Sequence, residues 1–225
     1  MIPSTTISIG PIDDVAPDST LSAISHDLSV SLLHGVIASA YDPYVASVTP
    51  LAPANALGEE LQMRATSSLR DVLLGQGWEV EDLNGLPSVA SEKDGVRIEC
   101  LTSRDPRVGV SGGSGPKLRA RGPQGLAFCG CDEAETMVIP GMEVYRSPEE
   151  IARHDDLDFY FFLLRLDENA GEVRSELSAP SLDRRGNLLG WRDRVIIPAW
   201  RIIDEPLVDE EPVPAPEIEV IRKRA

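Results

Sequence analysis

No stretch of this chain is apolar for long enough to cross a bilayer. The most apolar segment, Phe159-Tyr160-Phe161-Phe162-Leu163-Leu164, stops at Arg165, far short of the roughly 20 residues a spanning helix needs. A secretory signal is missing too, since Met1-Ile-Pro-Ser-Thr has neither a basic flank nor a continuous apolar core. Both absences lead us to expect no membrane association and a cytoplasmic or otherwise intracellular protein. Cysteine is scarce and odd in number. Cys100, Cys129 and Cys131 belong to a chain of 225 residues, large enough to fold without covalent staples, which argues against a disulfide framework and for a reducing compartment. Zinc takes about four ligands, so the tight pair Cys129-Gly-Cys131 would need help from Cys100, the histidines or the carboxylates. We read all three as ordinary semi-buried thiols. His26, His34 and His154 are too dispersed to suggest metal binding or acid–base chemistry.

Positive charge is the other deficit. Lys and Arg number 21 against 37 Asp and Glu, a formal net charge of -16 at pH 7. Such a field repels phosphate backbones unless a local basic patch overrides it, which argues against broad non-specific nucleic-acid binding. A basic protein partner fits the charge, as do metal ions that reverse its sign locally, and as does a solvated face with no partner. With 42% hydrophobic and 26% charged residues the composition is still that of a folded domain.

Residues 1–20 mix Ser, Thr, Pro and Asp and read as an irregular lead-in. Residues 21–203 read as a single globular domain, with room for a subdivision near 105–140, and 204–225 as an acidic Pro- and Glu-rich tail. From Leu21 to about Val48, Leu21, Ile24, Leu28, Leu32, Val36 and Ala40 recur at helical spacing, with an interruption expected at Asp42-Pro43. A second helix, capped by Asn55, carries Leu57, Leu61, Ala65, Leu69 and Leu73 at every fourth position and ends at Gly75 or Gly77. Trp78 to Glu81 alternates as a strand, Asn84-Gly85 marks a turn, and Val96 to Leu101 is another half-buried strand.

The glycine-rich residues 105–125 predict a mobile loop followed by a polar edge strand through Lys117, Arg119 and Arg121. Ser147-Pro148-Glu149-Glu150 should start a short helix ending near His154. Phe159 to Leu164 is aromatic-rich and short, and therefore a buried central strand. Val173–Leu177 and Val195–Ile197 add two strands, Asn187 and Gly190 mark turns, and Trp200 to Ile203 closes the sheet.

One constellation carries chemistry. Helix 55–74 bears Glu60, strand 78–82 follows, Pro87-Ser88 comes after the turn, and Glu99-Cys100-Leu101 ends the next strand. This arrangement, under a quarter of the chain, resembles the core of the restriction-endonuclease-like (PD-(D/E)xK) nuclease superfamily. There, an Asp and a later Glu-x-Lys or Asp-x-Lys hold divalent cations against the scissile phosphate while the lysine orients water. On that resemblance Glu99 keeps its place, Ser88 stands for the first carboxylate and Leu101 for the lysine, with Asp94 as a substitute carboxylate from the start of the strand. Glu60, Asp94 and Glu99 would then be both catalytic residues and ligands of Mg2+ or Mn2+. A lone Glu99 makes a poor site, because one carboxylate cannot offset the water a hard cation gives up. Without the resemblance, Glu99 is a strand residue between Ile98 and Cys100, and period-2 alternation makes burial of all three require a bulge or a strand buried on both faces.

Other motifs are weaker. Gly112-Gly-Ser-Gly-Pro116-Lys117 misses a Walker loop, because Pro116 removes a donor and Leu118 stands where Ser or Thr belongs. No Gly-x-Ser-x-Gly nucleophile elbow occurs. Arg184, Arg185, Arg192 and Arg194 surround Trp191 and make the best local exception to the acidic field, either as a patch for DNA or as solvated cations neutralising Asp183 and Asp193.

The expected fold is α/β or α+β, with N-terminal helices packed on a mixed sheet and a strand-rich C-terminal half. The expected function is that of a nuclease-like, DNA-associated protein with a degenerate metal site, in which Lys117, Arg119, Arg184, Arg185, Trp191 and Arg192 meet nucleic acid. The rival is a non-enzymatic acidic protein that binds another protein in a regulatory or assembly role.

Overall fold

The structure is a computed structural model that describes residues 16–47, 49, 51, 53, 56–83, 86–118, 157–182 and 188–202. Among the described residues three helices, α1 (Pro17–Ile24), α2 (Val30–Ser47) and α3 (Ala56–Leu74), precede six strands: β1 (Glu79–Leu83), β2 (Leu86–Ser91), β3 (Val96–Thr102), β4 (Asp158–Asp167), β5 (Glu172–Leu182) and β6 (Leu188–Arg201). The strands form one sheet in chain order. All neighbours are antiparallel except β3 and β4, which run parallel, with Glu99 opposite Phe161. A parallel pair needs a long crossover, here residues 103–157. N-terminal helices against a mixed sheet make the fold α+β, as the sequence pattern predicts. Among the described residues no helix is long and apolar enough to cross a membrane.

The first helical signal breaks at a different place from the expected one. Pro17 opens α1 at its first turn, where the missing N–H is not needed, so helix begins inside the predicted lead-in. Ser29 then restarts the chain, its Oγ accepting the Leu32 N–H at 3.1 Å, while Asp18 Oδ1 accepts the Val30 N–H at 2.7 Å. Pro43, the expected breaker, lies within α2. Buried Val36, Ile37, Ala40 and Tyr44 hold that last turn against the core, and packing of this kind outweighs a local preference. In α3 the periodic Leu61, Ala65, Leu69 and Leu73 are buried as predicted, while Val72 remains 37% exposed.

β2 had no strand signal of its own, yet it pairs on both edges. The two strands expected at Val195–Ile197 and from Trp200 are one continuous β6, and the supposed turn at Gly190 lies inside it, opposite Ser181. Asn55, Asn187, Cys129, Cys131, His154 and the short helix expected at 147–154 lie outside the described residues.

The sheet divides the interior in two. On one face Ile98, Cys100, Phe162 and Leu177 meet helix residues such as Leu33, Ile37, Leu61 and Leu69. On the other, Phe159, Phe161 and Leu163 meet Val108, with Leu86, Leu101, Leu118 and Trp191 packed around them. Both central strands are therefore buried on two sides. Each such large side chain contributes about 1.5–3 kcal/mol when fully buried. The crossover supplies the second lid, because Val108, from the glycine-rich stretch expected to be mobile, is wholly buried.

Candidate functional site

Alternation along β3 decides where Glu99 points. Ile98 and Cys100 belong to the helix-side core, and Leu101 to the other. Glu99 shares the parity of Leu101 and so lies on the face turned away from the helices, at 2% exposure. The condition for burying Ile98, Glu99 and Cys100 together is met by a strand buried on both sides, with no bulge between β2 and β3. Glu81 pairs with Ser88 across β1 and β2, and Val89 pairs with Ile98 across β2 and β3. One polar row, Glu81–Ser88–Glu99, thus crosses three strands. Ser88 is 2% exposed. Beside the row, fully buried Arg97 donates from Nε to Glu81 Oε2 at 2.9 Å.

The other two expected ligands are elsewhere. Glu60 lies on α3, on the helix side of the sheet, and pairs with Arg64 one turn on at 2.8 Å. Asp94 closes the β2–β3 turn, where it accepts Ser25 Oγ–H at 2.8 Å and Ser91 Oγ–H at 3.0 Å. The Ser25 hydrogen bond holds its carboxyl below the usual range. Asp94 is a clasp between the α1–α2 turn and the β2–β3 turn. Trp78 Nε1–H, donating to Asp27 Oδ2 at 3.0 Å, fastens the same corner. Glu60, Asp94 and Glu99 are therefore not brought together. Among the described residues, no group of three or more His, Cys, Asp or Glu side chains is placed to hold a metal ion. Cys100 is buried in the helix-side core, and burial pushes its thiol up to about 12, which disfavours the thiolate.

The expected basic patch is largely spoken for. Trp191 donates from Nε1 to the Pro116 carbonyl at 3.0 Å and meets Phe161 edge-on at 6.3 Å. Arg192 pairs with Asp158 at 2.8 Å and with Asp193 at 3.4 Å. Lys117 is exposed, its backbone N–H donating to Asp105 Oδ2 at 2.8 Å. Arg119, Arg184 and Arg185 lie outside the described residues. Trp191 thus lies over the core, Arg192 pairs with Asp158 and Asp193, and Arg194 pairs with Glu176 rather than with either expected aspartate.

The most elaborate polar assembly centres on a residue that carried no sequence signal. Glu176 of β5, at 0% exposure, takes Arg194 of β6 at 3.2 Å on one oxygen and 2.5 Å on the other. It also accepts the Gly109 N–H at 2.9 Å and Ser178 Oγ–H at 2.9 Å. Arg194 donates in addition to the carbonyls of Val110 at 3.1 Å, Arg107 at 3.4 Å and Gly112 at 3.5 Å. At the far end Asp105 accepts two side-chain N–H groups of Arg107 and the backbone N–H groups of Arg107 and Lys117. The Arg107 contact foremost, then these backbone bonds, hold the Asp105 carboxyl far below the usual range. Over its described part, residues 105–118, the glycine-rich segment is thus tied to the sheet by hydrogen bonds. Glu176 sits in a strand whose flanks, Ser175 and Leu177, are also buried; a period-2 reading expects one solvated face and cannot foresee a second lid.

No family model matches the chain, and neither a curated protein nor a solved structure matches it.

Proposed function

We propose that this chain is a non-enzymatic, acidic interaction protein of a reducing intracellular setting, acting in regulation or assembly by binding another protein. What carries the reading is the dispersal of the three carboxylates that metal-dependent hydrolysis would need. Glu60 is held by Arg64, Asp94 by Ser25 and Ser91, and Glu99 lies buried across the sheet from the helices. A hard divalent cation takes about six or more oxygen ligands, and carboxylates committed to separate structural partners do not gather them. The net charge of -16 favours a basic partner surface and slows approach to nucleic acid.

A second reading, a nuclease-like DNA-associated protein using Mg2+ or Mn2+, draws on one observation: Ser88 and Glu99, the positions the resemblance singles out, lie in one polar row across β1, β2 and β3 with Glu81. On that resemblance Ser88 would stand for its Asp and Leu101 for its Lys, which makes any such site degenerate. One experiment separates the readings. Calorimetric titration of the full chain with Mn2+, paired with DNA-cleavage assays of the chain and its Glu99→Gln variant, is expected to give no saturable heat and no cleavage. Metal-dependent cleavage that disappears in Glu99→Gln would overturn the proposal and establish the nuclease.

A further inference from the structure

Among the described residues β1 ends the sheet, and we propose that its open edge binds a basic, extended segment of a partner protein by taking it up as a further strand. The proposal rests on the binding-protein reading above and names the surface that serves it. Pro87 fixes which way the edge faces. It pairs with Asp82 and has no N–H to give, so Asp82 and Pro87 form a non-hydrogen-bonded pair. Antiparallel pairs alternate between the two kinds, which makes Val80 and Val89 another of the same kind. In both pairs the backbone groups face away from the neighbouring strand. The N–H and C=O of Val80 and Asp82 therefore point off the end of the sheet, a ready template for an incoming strand.

Side chains beside the edge supply an apolar contact. Val80 shares the helix-side face with its cross-strand partner Val89, yet Val80 is 44% exposed and Val89 only 1%. The helix layer closes over β2 and leaves Val80 open. Arg70 of α3 donates from Nη2 to the Glu81 carbonyl at 2.7 Å and to Asp82 Oδ1 at 2.6 Å. Leu74, exposed and one turn further along the same helix face, is thereby set beside β1. Charge selects the occupant. Over residues 56–83, which span α3 and β1, six carboxylates stand against two guanidiniums, Arg64 and Arg70. A second copy of this chain would bring carboxylate to carboxylate, which disfavours edge-to-edge pairing. A strand carrying Lys or Arg meets the opposite sign. The other end of the sheet is a poorer template. β6 contains Pro198 and three register shifts against β5, features that blunt an edge, whereas β1 pairs with β2 without a shift.

Amide nuclear magnetic resonance of the full chain tests the edge. The probe is a short peptide of alternating lysine and valine. The control peptide has equal charge but a central proline in place of valine, so it cannot complete a strand. The expected result is saturable movement of the Val80 and Asp82 amide signals, with slowed hydrogen exchange at both, for the probe and not for the control. Val80→Pro removes an outward N–H and no ladder bond, and should weaken the apparent affinity by about tenfold. Leu74→Lys, at an exposed position that leaves the core untouched, should weaken it by about fivefold through lost apolar contact and like charge. Amides of β1 that stay still or answer both peptides equally would overturn the edge, as would unchanged affinity in both variants. Saturable movement confined to other parts of the chain would overturn it too, while leaving a binding protein for basic partners. Movement nowhere would overturn both the edge and the basic partner.

Discussion

Glu176 has no contact with water, and every acceptor position it offers is used by Arg194, Ser178 or the Gly109 N–H. Arg194 is nearly as enclosed, with 14% of its side chain exposed. Removing one member of such a pair strands the other as an uncompensated buried charge, which costs about 3–5 kcal/mol, whereas removing both costs much less. Arg194→Met should therefore lower the unfolding free energy by about that amount in urea titrations, and Glu176→Gln combined with Arg194→Met should recover a large part of it. If the single and double variants are equally unstable, the pair is not the unit described. Nothing in the local sequence marks Glu176, and Arg194 stands out only as one of four arginines around Trp191. Glu176 reads as an outward strand position, Arg194 as a solvated neighbour of Asp193, and only their meeting across β5 and β6 gives them a role.

At the scale of elements, the informative piece is the segment between β3 and its described end at residue 118. Its glycines predict mobility on composition, yet they serve close packing. Gly115 has φ +69°, and a Cβ there would lie 2.5 Å from Trp191 Cδ1 and 2.7 Å from its Nε1. At Gly112, also at positive φ, the same Cβ meets nothing. A left-handed alanine costs roughly 1–2 kcal/mol on backbone grounds alone, so Gly112→Ala should lose about that much. Gly115→Ala should lose at least about 1 kcal/mol more and shift the Trp191 emission, since the indole must leave its place over the core. Equal losses would mean that the Trp191 contact is not tight. The helices show the opposite balance of legibility. The fourfold spacing of Leu61, Ala65, Leu69 and Leu73 was readable because a helix against a core needs one apolar stripe. The continuity of α2 through Pro43 was not, because it rests on Tyr44 and Ala40 finding partners far away in the chain.

For the molecule as a whole, charge sets the response to pH. Asp94, Asp105 and Asp167 are each held below the ordinary aspartate value, chiefly by hydrogen bonds from Ser25, Arg107 and Arg165 respectively. A carboxyl whose pKa is lower folded than unfolded adds stability that is complete above the unfolded pKa, near about 3.9. That stability is lost as pH falls toward the folded value. Opposing this, self-repulsion from a net charge of -16 fades on the way down to the isoelectric point near 4.5. Denaturation midpoints are therefore expected to hold or rise from pH 7 to about 5 and to fall steeply below about 4. A monotonic rise through pH 3 would contradict the pairing of these aspartates.

The sequence by itself determined where apolar periodicity begins and ends, that helices come first and strands follow, that Phe159 to Leu164 is a buried strand, and that the field is acidic. These are consequences of spacing and composition along the chain. The tertiary structure alone decided that the sheet is covered on both faces, and hence that Glu99 and Glu176 are buried. It also decided that Glu60, Asp94 and Glu99 lie apart, and that a glycine-rich segment is clamped. Each of these depends on which residues from distant positions share a face, a matter of strand order and crossover path that no local pattern encodes.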